Sequence, residues 1–289
     1  MKKEKRLFLS YAKDYRNWQA RLDAISVAAK KLGIQVIILE ESQFDYSTWL
    51  DMDITSDDMY YNVTPLNHEI ENIFIEKGAT TMFQHPNSRN HIFSSHQFDI
   101  ALINANIPTP KTILKGTNDR DLLEKYIDYL NGFPLIVKAT AGTLGIGVIK
   151  IETLEGLYST TDYLMSQKVH FQLKEFVNNE GSVRAIVLGN KVLGTFMRNN
   201  IKDDFRCSAP GLVSDYSDFE MDDELEEILL KLPKLVNYDF LGVDIVQDGL
   251  GNYYVLEINY PNDFTIPASV MKIDIGKAIV DFLVEKSTS

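Results

Sequence analysis

Apolar residues crowd into short runs within residues 6–10 and 34–40 (IQVIILE), while Trp18, Leu22, Ile25 and Ala29 between them recur at helical spacing. The short runs predict buried strands, and the recurrence predicts a helix over residues 16–32 that Gly33 stops. Two strands around one helix predict a parallel pair joined by a crossover. Residues 41–55 carry no clear period. Residues 65–77 predict a second helix ended by Gly78, with a short strand at residues 80–83 behind it. Residues 1–95 are therefore expected to form a small α/β domain.

The segment NANIPTPKTIL, residues 104–114, holds two prolines and marks a boundary. Beyond it the pattern predicts a strand at 111–114, a helix at 119–131, and the apolar strand FPLIVKA at 133–139. The glycine-rich loop TAGTLGIG leads to a strand at 148–151, a helix at 154–166 and the strand HFQLKEFV at 170–177. SVRAIVLGN and KVLGTFMRN form a hairpin around Gly189 and Asn190. An acidic segment, residues 215–227, opens a helix containing Leu225, Ile228 and Leu229. The strands FLGVDIVQD and NYYVLEINY are joined by a glycine-rich turn, and a helix over residues 276–285 follows. No internal repeat or low-complexity tract interrupts this order.

Composition narrows the function classes. Of 289 residues 45% are hydrophobic, enough for a sizeable core. A formal net charge of -12 repels phosphate backbones and argues against nucleic acid as a partner. The one cysteine, Cys207, excludes an intrachain disulfide framework and fits a reducing compartment. The apolar run near the N-terminus is too short for a signal peptide or a membrane span. A cytoplasmic protein with no membrane partner is expected.

The candidate chemistry gathers in two places. In PLIVKATAGTLGIGVIKI, Gly142, Gly145 and Gly147 occupy a loop between two strands, where glycine lets backbone N–H groups approach phosphate oxygens. Lys138, near the end of the first strand, can reach a phosphate as a point charge. No GK[ST] opens a following helix, so this is not a P-loop. In GVDIVQDGLGNYYVLEINY, Asp244 and Asp248 are expected on one strand, and Glu257 and Asn259 on one face of the next. Two carboxylates and an amide oxygen are hard ligands suited to magnesium held together with phosphates and water. Arg184, Arg198 and Arg206 recur along the intervening segments as a candidate phosphate or carboxylate clamp. Glu175, Phe176 and Val177 end an apolar strand where a hinge can meet an adenine.

In this order the segments resemble the ATP-grasp superfamily, and within it the RimK-like glutamate and peptide ligases, over about residues 104–263. The resemblance implies an α/β fold in which an N-terminal pre-ATP-grasp domain (1–95) precedes two α+β subdomains that grip ATP. These are a lid (96–174) and a core with the metal site (175–289). It implies that Lys111 and Lys138 hold ATP phosphates with the loop residues Gly142, Thr143, Gly145 and Gly147. Glu175, Phe176 and Val177 would meet the adenine. Ser182 stands where the family has an acidic ribose contact. Arg198 and Arg206 would steady the transferred phosphate, and Asp244, Glu257 and Asn259 would bind Mg2+, with Mn2+ as an alternative. Two further departures are Ser208 in place of an asparagine and the close Asn259-Tyr260-Pro261-Asn262-Asp263, which borders the family's acceptor site.

The implied activity is an ATP- and Mg-dependent carboxylate–amine ligation through an acyl-phosphate, on an amino acid or peptide, with a homo-oligomer admitted. Two alternatives stand beside it: a macrocyclase of a ribosomal peptide pathway forming amides or esters, and a non-catalytic nucleotide-binding regulator on the same fold. Cys207 is expected to pack rather than react. The acidic segment 215–227 is expected to be a solvated helix start, with docking of a basic peptide as the alternative.

Overall fold

The structure is a computed structural model that describes residues 5–64, 68–84, 94–139, 145–202, 204–207, 215–260 and 262–288. Leu7 and Leu9 point one way from strand β1 (Arg6–Tyr11) and Phe8 points the other, all buried. A strand apolar on both faces needs cover on both, which parallel sheets obtain from crossover helices. Helix α1 (Trp18–Lys31) supplies one cover with Leu22, Ile25 and Ala29, and β2 (Gln35–Glu40) lies parallel to β1. On the other side of β1 lies β3 (Met59–Asn62), also parallel, giving the order β2-β1-β3. Helix α2 (His68–Glu76) covers the second face, where the Phe74 ring meets Phe8 and Tyr60 at 4.8 and 4.5 Å. The strand expected at residues 80–83 is only two isolated bridges, Met59 to Thr80 and Phe83 to Tyr238, because the segment crosses between two sheets rather than joining either.

Helix α3 (Ser95–Asn104) begins at a capping box in which Ser94 and Gln97 satisfy each other's backbone. Its Phe98 and Leu102 are buried in the body of the molecule. The proline-bearing segment after it is strapped to the body: Val255 N–H donates to the Pro108 carbonyl at 2.8 Å. A lid follows, made of β4 (Thr112–Ile113), α4 (Arg120–Tyr129), β5 (Leu135–Ala139), β6 (Val148–Ile151), α5 (Leu154–Ser166) and β7 (Phe171–Glu175). Asp119 and Thr153 cap its helices through their side-chain oxygens. Its antiparallel sheet has the order β4-β7-β5-β6 and encloses its own core of Leu123, Leu135, Val137, Leu157 and Leu173.

The body sheet is built from β8 (Gly181–Leu188), β9 (Lys191–Asn199), β10 (Tyr216–Asp218), β11 (Phe240–Gln247) and β12 (Tyr253–Asn259), in the order β10-β9-β8-β11-β12. Helices α6 (Asp223–Val236), α7 (Thr265–Met271) and α8 (Ile275–Lys286) accompany it. β10 and α6 share the expected acidic segment, and Asp222 caps α6 by accepting from Leu225 N–H at 2.9 Å. Asp248 lies one residue past β11 and accepts from the Leu250 and Asn252 amides, both at 2.9 Å, so it shapes the turn rather than sharing Asp244's strand. The N-terminal sheet and the body share one core: Leu9, Ile25 and Tyr61 cluster with Val183, Phe240, Val243 and Ile279. Helices α1 and α8 pack so closely that a Cβ on Gly276 would lie 2.9 Å from the Ala24 carbonyl carbon. No described helix is long and apolar enough to cross a membrane.

Candidate active site

Register sets the site. Across the body sheet Arg198 on β9 pairs with Ser182 on β8, Arg184 pairs with Asp244 on β11, and Asp244 pairs with Glu257 on β12. Arg184 Nε forms an ion pair with Asp244 Oδ1 at 2.8 Å, and Arg184 Nη2 donates to Oδ2 at 3.1 Å. Arg198 Nη2 donates to the same Oδ1, and Asn259 Nδ2 reaches Oδ2 at 3.4 Å. Buried charges persist only when paired and hydrogen-bonded, and here one carboxylate holds two guanidinium groups. Arg184 Nη1 also donates to Asn262 Oδ1 at 3.2 Å. A Cβ on Gly242 would stand 2.2 Å from that oxygen and 2.6 Å from Arg184 Nη1, so this contact requires glycine. Ser182 Oγ accepts from Arg198 Nε at 3.2 Å.

The lid reaches over this cluster. Lys138 on β5 donates to Glu257 Oε2 at 3.0 Å, joining the lid sheet to the body. Gly145 and Gly147 have φ of +75° and +79°, the left-handed region, and the Ala139 N–H donates to the Gly147 carbonyl at 2.9 Å. Gly142 and Thr143 lie outside the described residues, as does Ser208. Arg206 Nη1 donates to the Gly145 carbonyl at 3.0 Å, and the guanidinium holds the Asp204 carboxyl below its usual range through their hydrogen bonds. Arg206 thus attaches to the lid loop, while Arg198 stays on the body sheet.

Lys111 and Glu175 sit at the far end of the lid sheet from Lys138. Glu175 pairs with Leu135 and Lys138 pairs with Gln172. The Glu175 carboxylate accepts from the Lys111 N–H at 3.2 Å and from Asn131 Nδ2 at 2.6 Å, and Lys111 Nζ donates to Asn131 Oδ1 at 2.7 Å. Asn179 Nδ2 donates to the Val177 carbonyl at 2.7 Å, which leaves this residue's N–H as its polar group for a base. Phe176 has Lys150 Nζ 4.6 Å from its ring centroid and Phe205 at 6.4 Å. Lys150 was not foreseen, nor was a buried group in which Lys174 Nζ and Gln172 Nε2 donate to Asp99 at 2.7 and 2.8 Å. Alternation along HFQLKEFV puts Gln172 and Lys174 on the face opposite Phe171 and Leu173, a signal that could have found both. Nothing local points to Asp99.

The donor set fits a magnesium ion. Asp244 and Glu257 are carboxylates on paired positions, and Asn259, whose Nδ2 faces Asp244, keeps its amide oxygen for a cation. Among the described residues no three His, Cys, Asp or Glu side chains gather. The Cys207 thiol donates to Asn200 Oδ1 at 3.1 Å, and burial raises its pKa, which disfavours the thiolate a nucleophile needs.

Comparison with known proteins adds four similarities. Residues 91–283 match the RimK-like ATP-grasp domain. The α-aminoadipate–LysW ligase LysX of Saccharolobus solfataricus is 28% identical over 272 residues, which cover 89% of this chain and 93% of LysX. A probable α-L-glutamate ligase of Coxiella burnetii is 30% identical over 166 residues, 56% of this chain and 54% of that protein. The chain thus spans about half the length of that second relative. The solved structure of the ATP-grasp ligase PsnB with a minimal precursor, Mg and ADP superposes with a TM-score of 0.73 at 15% identity, covering 98% of each chain.

Proposed function

The chain belongs to the RimK-like ATP-grasp family, and from that premise we propose how its residues carry out the reaction. It is an ATP-dependent carboxylate–amine ligase acting on an amino acid or peptide. A free carboxylate is a poor electrophile, so its oxygen first attacks the γ-phosphorus of ATP. An acyl-phosphate forms and ADP leaves. An amine then attacks the acyl carbon, phosphate departs with the electron pair of the C–O bond, and the amine gives up a proton. We assign one partner as a free amino acid and the other as a polypeptide. The similarity to LysX, which extends over 93% of that ligase, supports this choice over macrocyclisation.

One observation carries the assignment of roles: Arg184, Arg198, Asp244 and Glu257 stand side by side on the body sheet, with Lys138 bridging to them from the lid at 3.0 Å. Arg198 and Arg206 would steady the transferred phosphoryl group, the first from the sheet and the second from the loop that carries Gly145. Lys138 would exchange Glu257 for a phosphate oxygen as the nucleotide enters. Lys111 would hold the nucleotide from the β4 end of the lid. Phe176 with Lys150 would wall the base, and the Val177 N–H would meet its edge. Glu175 would act through its backbone, because its carboxylate is engaged by Lys111 and Asn131. Gly142, Thr143, Gly145 and Gly147 would line the phosphates. Ser182 would orient Arg198. Asp244, Glu257 and Asn259 would hold magnesium, which when bound neutralises charge on the terminal phosphates.

The test is nucleotide chromatography of a turnover mixture containing ATP, magnesium, an amino-acid panel and a polypeptide acceptor. ADP and phosphate should accumulate in step with an amide product. AMP and pyrophosphate in their place would overturn the acyl-phosphate route.

A further inference from the structure

Close to the phosphate cluster lies a buried polar group that the reaction above leaves unused. Asp99 on α3, Gln172 and Lys174 on β7 are 1%, 0% and 8% exposed. Gln172 stands opposite Lys138 in the lid sheet, and both side chains leave the face that packs Val137 and Leu173 into the lid core. They therefore share the side turned toward β12, to which Lys138 reaches. Asp99 Oδ1 accepts from Lys174 Nζ at 2.7 Å, and Oδ2 accepts from Gln172 Nε2 at 2.8 Å. A carboxylate only accepts hydrogen bonds, so Asp99 fixes which end of the Gln172 amide is which. Nε2 must face Asp99, and Oε1 must face away. That oxygen is buried and has no hydrogen-bond partner among the described residues. Buried acceptors are seldom left unmade, and this one stands on the strand that runs into the hinge at Glu175–Val177.

We propose that Gln172, oriented by Asp99, reads the base of the nucleotide by accepting a hydrogen bond from the exocyclic amine of adenine. Guanine carries an oxo group at the corresponding position, an acceptor facing an acceptor, and is rejected. Lys174 cannot take over this role, because an ammonium donates and has no acceptor to offer an amine. Asp99 is a positioning residue, since it acts through Gln172. Its neighbours Phe98 and Leu102 belong to the body core, and those of Gln172, Phe171 and Leu173, to the lid core. The reading of the base therefore depends on how the lid sits on the body.

The inference rests on the nucleotide site proposed above, and calorimetry can separate the two. Non-hydrolysable ATP and GTP analogues are titrated with magnesium into the wild-type protein, Gln172→Met and Asp99→Asn, with thermal melts as a check on folding. The wild type should prefer the adenine analogue. Gln172→Met should weaken it about tenfold, the scale of one lost hydrogen bond, and leave the guanine analogue unchanged. Asp99→Asn should also narrow the preference, because an amide partner lets Gln172 turn over and offer its N–H2 to guanine. Equal binding of both analogues by the wild type would overturn the inference alone. So would a wild-type preference retained in either variant. Binding of neither analogue by the wild type would overturn the nucleotide site with it.

Discussion

Asp244 and Glu257 face each other across one hairpin yet should respond differently to neutralisation. Asp244 is half-buried between Arg184 and Arg198, so Asp244→Asn leaves two guanidinium groups short of a counter-charge. The expected loss is about 3 kcal/mol of stability together with turnover. Glu257 is 47% exposed at its side chain, where it pairs with Lys138. Glu257→Gln should lower ADP release by roughly 10²-fold and move stability by at most about 0.5 kcal/mol. Urea titrations and steady-state ADP assays check both; equal destabilisation by the two variants would contradict the assigned pairing. A second residue tests the interior. Burial pushes the Glu71 carboxyl from 4.5 up to about 7. The native state thus favours its proton, so stability is fully present below the unfolded value of 4.5 and declines as pH rises toward about 7. Above that the burdened native state should be weaker by about 3 kcal/mol. Glu71→Gln should flatten this decline between pH 5 and pH 8 in denaturation curves, and an unchanged slope would assign it to other groups.

At the scale of elements, the lid hairpin depends on Gly147. Its φ of +79° strains any L side chain, and a virtual Cβ 3.0 Å from Ala139 Cβ is a tight contact. Gly147→Ala should cost about 1–2 kcal/mol in lid stability and weaken ATP binding while leaving the body intact, as differential amide protection would record. Regular elements of this kind were legible in the sequence. The helix expected at 154–166 and the hairpin around Gly189 occur as periodicity predicts, because each carries one apolar face and a clear stop. β3 was not legible: MYYN is buried on both faces and shows neither alternation nor a bounding turn. Helix α3 escaped although Ser94 and Gln97 spell a capping box, because a short apolar run beside a proline segment reads equally as linker. The shared face of Glu257 and Asn259 was legible from alternation, whereas Asp99 and Lys174 are 75 positions apart and only the fold brings them together. Arg206 illustrates the same limit, since its placement on the Gly145 loop comes from a turn with no periodic signature.

On the scale of the whole molecule, the lid core is separate from the body core, and polar contacts join the two at the cleft and at the strap at Pro108. Units with separate cores open separately. Hydrogen exchange should therefore show the lid amides of β5 and β6 exchanging faster than those of β8 and β11. An ATP analogue with magnesium should slow the lid selectively, and uniform protection across both sheets would argue against independent opening. The same partition governs how the chain reaches its shape. The lid core draws on buried residues from Leu123 to Leu173 with Ile113 packed against them, but the body core needs Leu7 at one extreme and Leu283 at the other. On a ribosome the lid can finish folding while the β2-β1-β3 sheet, made earlier, still lacks the strands that bury its Leu9 and Tyr61 face. For most of its synthesis the oldest part of this chain is the part waiting for a partner, and a truncation before α8 should strand it as a chaperone substrate.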